Sequence, residues 1–275
     1  MEGLGDGIPP ISSSLADPKL LELVAKRIRR RLLELYLRDQ AIHLGSSLSV
    51  IEILTVIIFK YMRRDGGSLD RDRLVLSKGH AAPALYVALA EQGLIPREEL
   101  YKMHDINGVL QGHPEITIPG VDASTGSLAS GFSFAVGLAT AIKMRGGRGR
   151  VFVVMGDGEQ DEGEVWEAMS HAAYRRLDNL VVVIDNNGYQ LDGPTDGVKP
   201  KHYMPLVWRA VGWNVLVCDG HDVRSIDKAL SRALQSETPS VIFAYTTRMK
   251  GVPLLEGKSI QRPGVDVVRE ALLNA

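Results

Sequence analysis

Val151-Phe152-Val153-Val154-Met155-Gly156-Asp157-Gly158 and Leu180-Val181-Val182-Val183-Ile184-Asp185-Asn186-Asn187-Gly188 are the two stretches on which the fold turns. Each opens with five consecutive apolar residues, most of them β-branched, and closes on residues that break regular structure. Runs of that length and composition read as strands buried on both faces. Between them, Glu162 to Arg176 reads as a helix. The alternation continues with a strand over Val215 to Val217, a helix over Val223 to Leu234 and a strand over Ser240 to Tyr245. Apolar strands alternating with helices predict an α/β fold, a parallel sheet with helices on both faces. Ligands of such sheets lie beyond the carboxyl ends of the strands. Both Gly156-Asp157-Gly158 and Asn186-Asn187-Gly188 fall at such ends.

Toward the N-terminus, Ser130 to Arg145 reads as a helix, and Tyr101 to Gly120 as a long irregular loop of the kind usually tied to function. Leu74 to Leu76 is a short strand before Ser77-Lys78-Gly79-His80, and Pro83 to Gln92 and Leu48 to Tyr61 are helices. Leu20, Leu21, Val24, Ile28, Leu32 and Leu35 recur at helical spacing after Asp17-Pro18. The basic residues Lys26, Arg27, Arg29, Arg30 and Arg31 occupy the remaining positions and read as a solvated face. Residues 1–16, rich in Gly, Pro and Ser, are expected to form a flexible arm, with 17–275 a single domain.

With 32 basic and 33 acidic residues the net charge is −1, which leaves no electrostatic footprint for nucleic acid or an acidic membrane. No segment reaches the roughly 20 apolar residues of a membrane helix, and no secretory leader is evident. Cys218 is the only cysteine, which excludes an intrachain disulfide and fits a reducing compartment. A cytoplasmic protein is expected.

Asp157 and Asn187 each end a buried parallel strand, one crossover apart. A carboxylate and an amide carbonyl, joined by a backbone carbonyl such as that of Tyr189, make an all-oxygen site suited to Mg²⁺ or Ca²⁺, with phosphate oxygens completing the shell. Gly156 and Gly158 allow a close backbone approach to phosphate, and the helix beginning near Glu162 adds donors. Singly, each motif reads as a turn. Gly5-Asp6-Gly7 is such a copy, following no strand.

The pair of motifs resembles the thiamine-diphosphate fingerprint. Gly156 to Gly163 with Val165-Trp166-Glu167-Ala168 is similar to the transketolase family in particular, as are Asp72 to Ala81, Gly112-His113-Pro114, Ser124 to Leu128 and Asp219-Gly220-His221-Asp222. The matches run from about His43 to about Val252 and imply the thiamine-diphosphate-binding fold. The resemblance implies that Asp157, Asn187 and the carbonyl of Tyr189 bind the metal. It places Lys78, His80, Gly156, Gly158, Glu159 and Arg248 around the diphosphate, with arginine at 248 where relatives have lysine. Gly126, Ser127 and Leu128 would lie near the aminopyrimidine and thiazolium. His43, His80 and His113 would face the donor sugar, with leucine at 44 where relatives commonly have proline, and Glu162 would sit at the contact between active sites. His221 reads as structural.

Only the first of the family's three domains is matched. The glutamate that activates the pyrimidine ring belongs to the second, and the Trp-His-Gly stretch that relatives carry after the Lys250-Gly251-Val252 region is absent. The expectation is therefore a split enzyme. A C-terminal partner subunit would carry the pyrimidine domain, with two copies of each chain in a heterotetramer, acting on sugar phosphates by transfer of a two-carbon ketol unit. The alternatives are another thiamine-diphosphate enzyme, such as a 2-oxoacid dehydrogenase component, a truncated transketolase, or a non-catalytic binding protein. A generic nucleotide-binding domain lacks support, because no Gly-x-Gly-x-x-Gly follows a strand.

Overall fold

Asp17 caps the first helix by accepting the Lys19 N–H at 2.9 Å, and Pro18 occupies the first turn, as the sequence predicts. The structure, a computed structural model, describes residues 17–274; the expected flexible arm lies outside them. Helix α1 (Pro18–Arg38) buries Leu21, Val24, Ile28, Leu32 and Leu35 on one stripe. Its basic face is less solvated than expected. Arg29 donates to Glu52 at 2.7 Å, Arg27 pairs with Glu91, and Arg31 donates to the Tyr101 hydroxyl at 2.6 Å.

The stretch expected as one helix over Leu48 to Tyr61 begins earlier and is broken. Helix α2 (Leu44–Ser49) and α3 (Ile51–Val56) meet at Val50, and a π turn follows over Ile57–Tyr61. Ser46 and Ser49 face the strand ends, where Ser46 hydrogen-bonds the half-buried His80 and Ser49 the buried Asp185. Strand β1 (Arg73–Leu76) leads through a 3₁₀ turn over Gly79–Ala81 into α4 (Ala82–Glu91). After the long loop and α5 (Ser130–Met144) come β2 (Val151–Gly156), a 3₁₀ turn over Gly158–Asp161, α6 (Gly163–Tyr174) and β3 (Leu180–Asn186). The small hairpin β4 (Tyr189–Gln190) and β5 (Gly193–Pro194) precedes α7 (Thr195–Val198) and α8 (Met204–Val211). Strand β6 (Asn214–Asp219), α9 (Val223–Ala233), β7 (Ser240–Tyr245) and α10 (Val265–Leu273) complete the chain.

The main sheet has the order β1-β2-β3-β7-β6 and every pairing in it is parallel. Its two faces feed two cores, and residue parity decides which. Phe152, Val154, Val181, Val183 and Ile242 pack on the side of α1, α3, α4 and α9. Val151, Val153, Met155, Val182 and Phe243 pack on the side of α5, α6 and α8. Both parities are apolar because both faces are covered, which is why these strands show no alternation in sequence. The parallel register aligns Gly156 with Asp185 and Asn186 with Tyr245, so four strands end along one rim of the sheet. Among the described residues no helix is long and apolar enough to cross a membrane.

Candidate functional site

That rim opens on a cavity of about 410 Å³. Its wall gathers residues from five separate segments: His43 and Ser46 before and in α2, Lys78 and His80 after β1, Gly126 and Leu128 before α5, the Gly156 to Glu162 turn after β2, and Asn187 with the β4 hairpin after β3. Arg248 and Gln261, beyond β7, close the remaining side. Of the residues singled out in the sequence, only His113 and Ser127 lie outside this wall. The His113 ring still abuts it, 3.5 Å from where a β-carbon on Gly126 would stand, and its backbone carbonyl accepts the Tyr86 hydroxyl at 2.7 Å. Ser127 is exposed, and its carbonyl accepts the Ser130 hydroxyl.

The carboxylates of the rim have different surroundings. Asp157 is 1% exposed. It accepts the Gly158 N–H, the Gly188 N–H (both at 2.9 Å) and the Thr195 hydroxyl at 3.0 Å. It has no cation within ion-pair distance among the described residues. Burial, reinforced by repulsion from Asp185, pushes its pKa up to about 6. Asp185 is fully buried and ion-paired to Lys78, itself 1% exposed; it also accepts the hydroxyls of Ser49 (2.6 Å) and Thr246. Burial alone would raise its pKa, but Lys78 and these donors hold it below the usual carboxylate range. Glu159 is satisfied by neutral donors: the Ser77 hydroxyl, the Ala129 N–H at 2.9 Å and the Gly156 N–H at 3.0 Å. Expected as a direct ligand-binding residue, it is engaged by the protein on both oxygens and braces the Gly156 turn from behind.

Asn187 donates its amide to Asp185 at 3.2 Å and to Ser49 at 3.4 Å. Its Oδ1 accepts the Tyr189 N–H at 3.0 Å and keeps a second lone pair. Asp185 therefore orients both Lys78 and Asn187. Gly158 has no room for a side chain, since a β-carbon there would stand 2.8 Å from the Gln190 β-carbon. A 3₁₀ turn separates Gly158 from α6, which starts at Gly163 with Glu162 exposed at its N-cap, close to the helix start expected near Glu162.

His80 accepts or donates at the Ser46 hydroxyl over 2.8 Å, and its ring meets that of His43 edge to face at 5.7 Å. Burial first, and Lys78 second, push its pKa down to about 3, so the imidazole is neutral at physiological pH. Burial and the neighbouring positive groups also lower His43. Arg248 is buried, has no carboxylate within ion-pair distance among the described residues, and leaves its Nε without a partner. A buried guanidinium with an orphaned donor on a cavity wall fits an anion. Asp157, a buried carboxylate without a cation, and Asn187 Oδ1 fit a hard divalent ion.

His221 is structural, as its sequence context suggests. It bonds Glu52 through Nδ1 at 3.0 Å and accepts the Thr247 N–H at Nε2 at 2.8 Å, which anchors the segment carrying Arg248. Sequence reasoning missed Asp185, Ser46, Ser49, Thr195 and Gln261. Asp185 had a usable signal, a charged residue inside an otherwise apolar buried strand, which demands a partner.

The strand ends of this parallel α/β sheet thus bring together an acid and an arginine with no ion-pair partner among the described residues, and an oriented amide. Residues 22–264 match the family described as transketolase, thiamine diphosphate binding domain, and the chain belongs to the transketolase family of transferases. It is 37% identical over 254 residues to a subunit of the apulose-4-phosphate transketolase of Phocaeicola vulgatus, covering 91% of this chain and 90% of that one. It is 42% identical over 221 residues to the 6-deoxy-6-sulfo-D-fructose transketolase subunit SqwG of a Clostridium species, covering 78% and 80%. Among solved structures, transketolase from Campylobacter jejuni superposes with a TM-score of 0.85 at 32% identity; the match covers 93% of this chain but 42% of that enzyme.

Proposed function

We propose that this chain is the diphosphate-binding subunit of a split transketolase that moves a two-carbon ketol unit from a ketose phosphate to an aldose phosphate. The observation that carries this is the pairing, on one cavity wall, of a cation-seeking carboxylate (Asp157) with an anion-seeking guanidinium (Arg248). A metal diphosphate satisfies both at once. Relatives of nearly the same length bear the name of a transketolase subunit, which supports a second chain that supplies the pyrimidine-binding domain. Two copies of each chain form the smallest symmetric assembly in which every site has both halves.

Asp157, the Asn187 Oδ1 and the Tyr189 carbonyl hold Mg²⁺ or Ca²⁺ in this reading. Gly158 and Arg248 receive the diphosphate, with Lys78 behind them neutralising Asp185. Leu128 and Gly126 form the apolar and close-approach surfaces for the rings. Thiamine diphosphate, when bound, supplies a carbon nucleophile and an electron sink for cleaving the bond next to the ketose carbonyl. His80 and His43, both neutral, can donate a hydrogen bond to an oxygen that gains charge or accept a proton from a hydroxyl. His113 stands beside Gly126 at the edge of the same space. Glu162, exposed at the start of α6, is free to meet a group from another chain.

Affinity capture of this chain from its native source, followed by sizing and an assay of ketol transfer from a ketose phosphate, tests the reading. A stoichiometric second chain, with turnover only in the complex, is the expected result. A complex that instead consumes a 2-oxoacid, or a chain that captures no partner and holds no thiamine diphosphate with Mg²⁺, overturns it.

A further inference from the structure

The segment after β7 returns over the cavity and is tied down along its length. Arg248 O accepts the Gly257 N–H at 2.9 Å, the Tyr189 hydroxyl donates to Gly257 O, and the Tyr36 hydroxyl donates to Pro263 O at 2.9 Å. The segment's own Val252 and Leu255 are buried. This strap delivers Gln261 to the cavity wall, where it is half-buried.

Arg248 Nη2 donates to the Gln261 Oε1 at 2.9 Å. A guanidinium has donors only, so the amide oxygen must face it and the amide NH₂ must face away. That NH₂ has no hydrogen-bond partner among the described residues. The chain thus presents a neutral, oriented donor pair on a wall it shares with His43 and Arg248. An uncharged amide adds little to holding a diphosphate, which Arg248 already attracts. It suits the hydroxyl and carbonyl oxygens of a sugar, where a fixed donor confers discrimination.

We propose that Gln261 is a specificity-determining residue for the ketose donor, hydrogen-bonding a sugar oxygen through its free amide N–H. This rests on the ketol-transfer reading above.

The test uses the complex of this chain with its partner subunit, carrying Gln261→Ala or Gln261→Glu. Ketol transfer is measured from xylulose 5-phosphate, fructose 6-phosphate, apulose 4-phosphate and 6-deoxy-6-sulfofructose, and thiamine diphosphate affinity is measured separately by tryptophan fluorescence. Glutamate keeps an acceptor for Arg248 but cannot donate into the cavity. Both variants are therefore expected to raise KM for the preferred ketose by roughly three- to tenfold, more than they lower kcat, and to narrow the preference among the four. Cofactor affinity and melting temperature are expected to stay near wild type in Gln261→Ala, whereas the Gln261→Glu carboxylate also pairs with Arg248. Wild-type KM in Gln261→Glu with a raised KM in Gln261→Ala would reduce Gln261 to a tether for Arg248 and overturn the proposal. Unchanged KM in both, or loss of cofactor affinity in both, would overturn it as well. A wild-type complex that binds thiamine diphosphate yet transfers no ketol unit from any of the four defeats the functional reading itself, and this assignment with it.

Discussion

Asp157 and Asp185 end adjacent strands, both excluded from solvent, and the chain treats them in opposite ways. Asp185 receives a cation from the protein itself, Lys78, together with two hydroxyls and an amide. Asp157 receives three neutral donors and, among the described residues, no cation. A buried carboxylate that lacks a cation partner is a cost to folding, one that the divalent ion of the proposed function would relieve. Two like residues on neighbouring strands thus separate into a structural group and, in the proposed function, a binding group. Glu159 lies between them in character, held by neutral donors alone but on both oxygens.

Removing Asp185 should have the largest effect. Asp185→Ala strands Lys78 as a buried, unpaired ammonium, and breaking such a pair costs about 3–5 kcal/mol. Urea denaturation of the ligand-free chain measures it. A loss under about 1 kcal/mol would mean that Lys78 finds another route to neutrality and that the contrast is weaker than the geometry implies.

Asp157→Ala should do the reverse. Its folding cost should be smaller than that of Asp185→Ala, while Mg²⁺-dependent affinity for thiamine diphosphate in the assembled enzyme should fall by about a hundredfold or more. Titration calorimetry reads the second quantity. Unchanged affinity would remove Asp157 from the metal site.

Glu159→Gln comes next. One glutamine nitrogen would have to face the Gly156 N–H or the Ser77 and Ala129 donors, setting donor against donor at a cost of about 1–3 kcal/mol. Because the residue braces the turn from behind, the melting temperature should drop further than metal affinity does. The opposite ranking would make Glu159 a direct binding residue, as the sequence alone suggested.

The contrast also explains what the sequence could and could not reveal. The buried strands were legible because both of their faces are apolar, and the two breaks were legible because Gly and Asn punctuate strand ends. Asp185 looked like part of the second break, and only the register that sets it against Gly156 and near Lys78 exposes its role. The helix expected over Leu48 to Tyr61 was continuous in its apolar content, yet the chain breaks at Val50 to turn Ser46 and Ser49 toward the rim. Helix α8 and helix α10 escaped notice because each is short, at eight and nine residues, and begins beside a proline or glycine. Gln261 was invisible because a strap with no period reveals nothing about where it folds back.

The smallest effect is the pH dependence of metal binding, and its sign follows from Asp157. The carboxyl has a pKa near 6 in the ligand-free fold and near 3.9 when unfolded. The folded chain therefore binds more protons than the unfolded chain between those values, and this group's contribution to ligand-free stability is lost as pH rises through about 6. His80 works the other way, with a folded pKa near 3 against about 6.5 unfolded, so its contribution grows as pH rises across that span. The two overlap and oppose each other between about pH 4 and 6, which makes melting curves a poor readout. Metal binding separates them, because in the proposed site a divalent ion takes the Asp157 carboxylate and must displace its proton. Mg²⁺ affinity in the presence of thiamine diphosphate should be flat above about pH 7 and fall about tenfold per pH unit well below pH 6. Asp185, already ionised against Lys78, adds nothing to that slope. A profile that stays flat down to pH 5 would mean that Asp157 has a cation partner of its own, and the distinction between the two carboxylates would disappear.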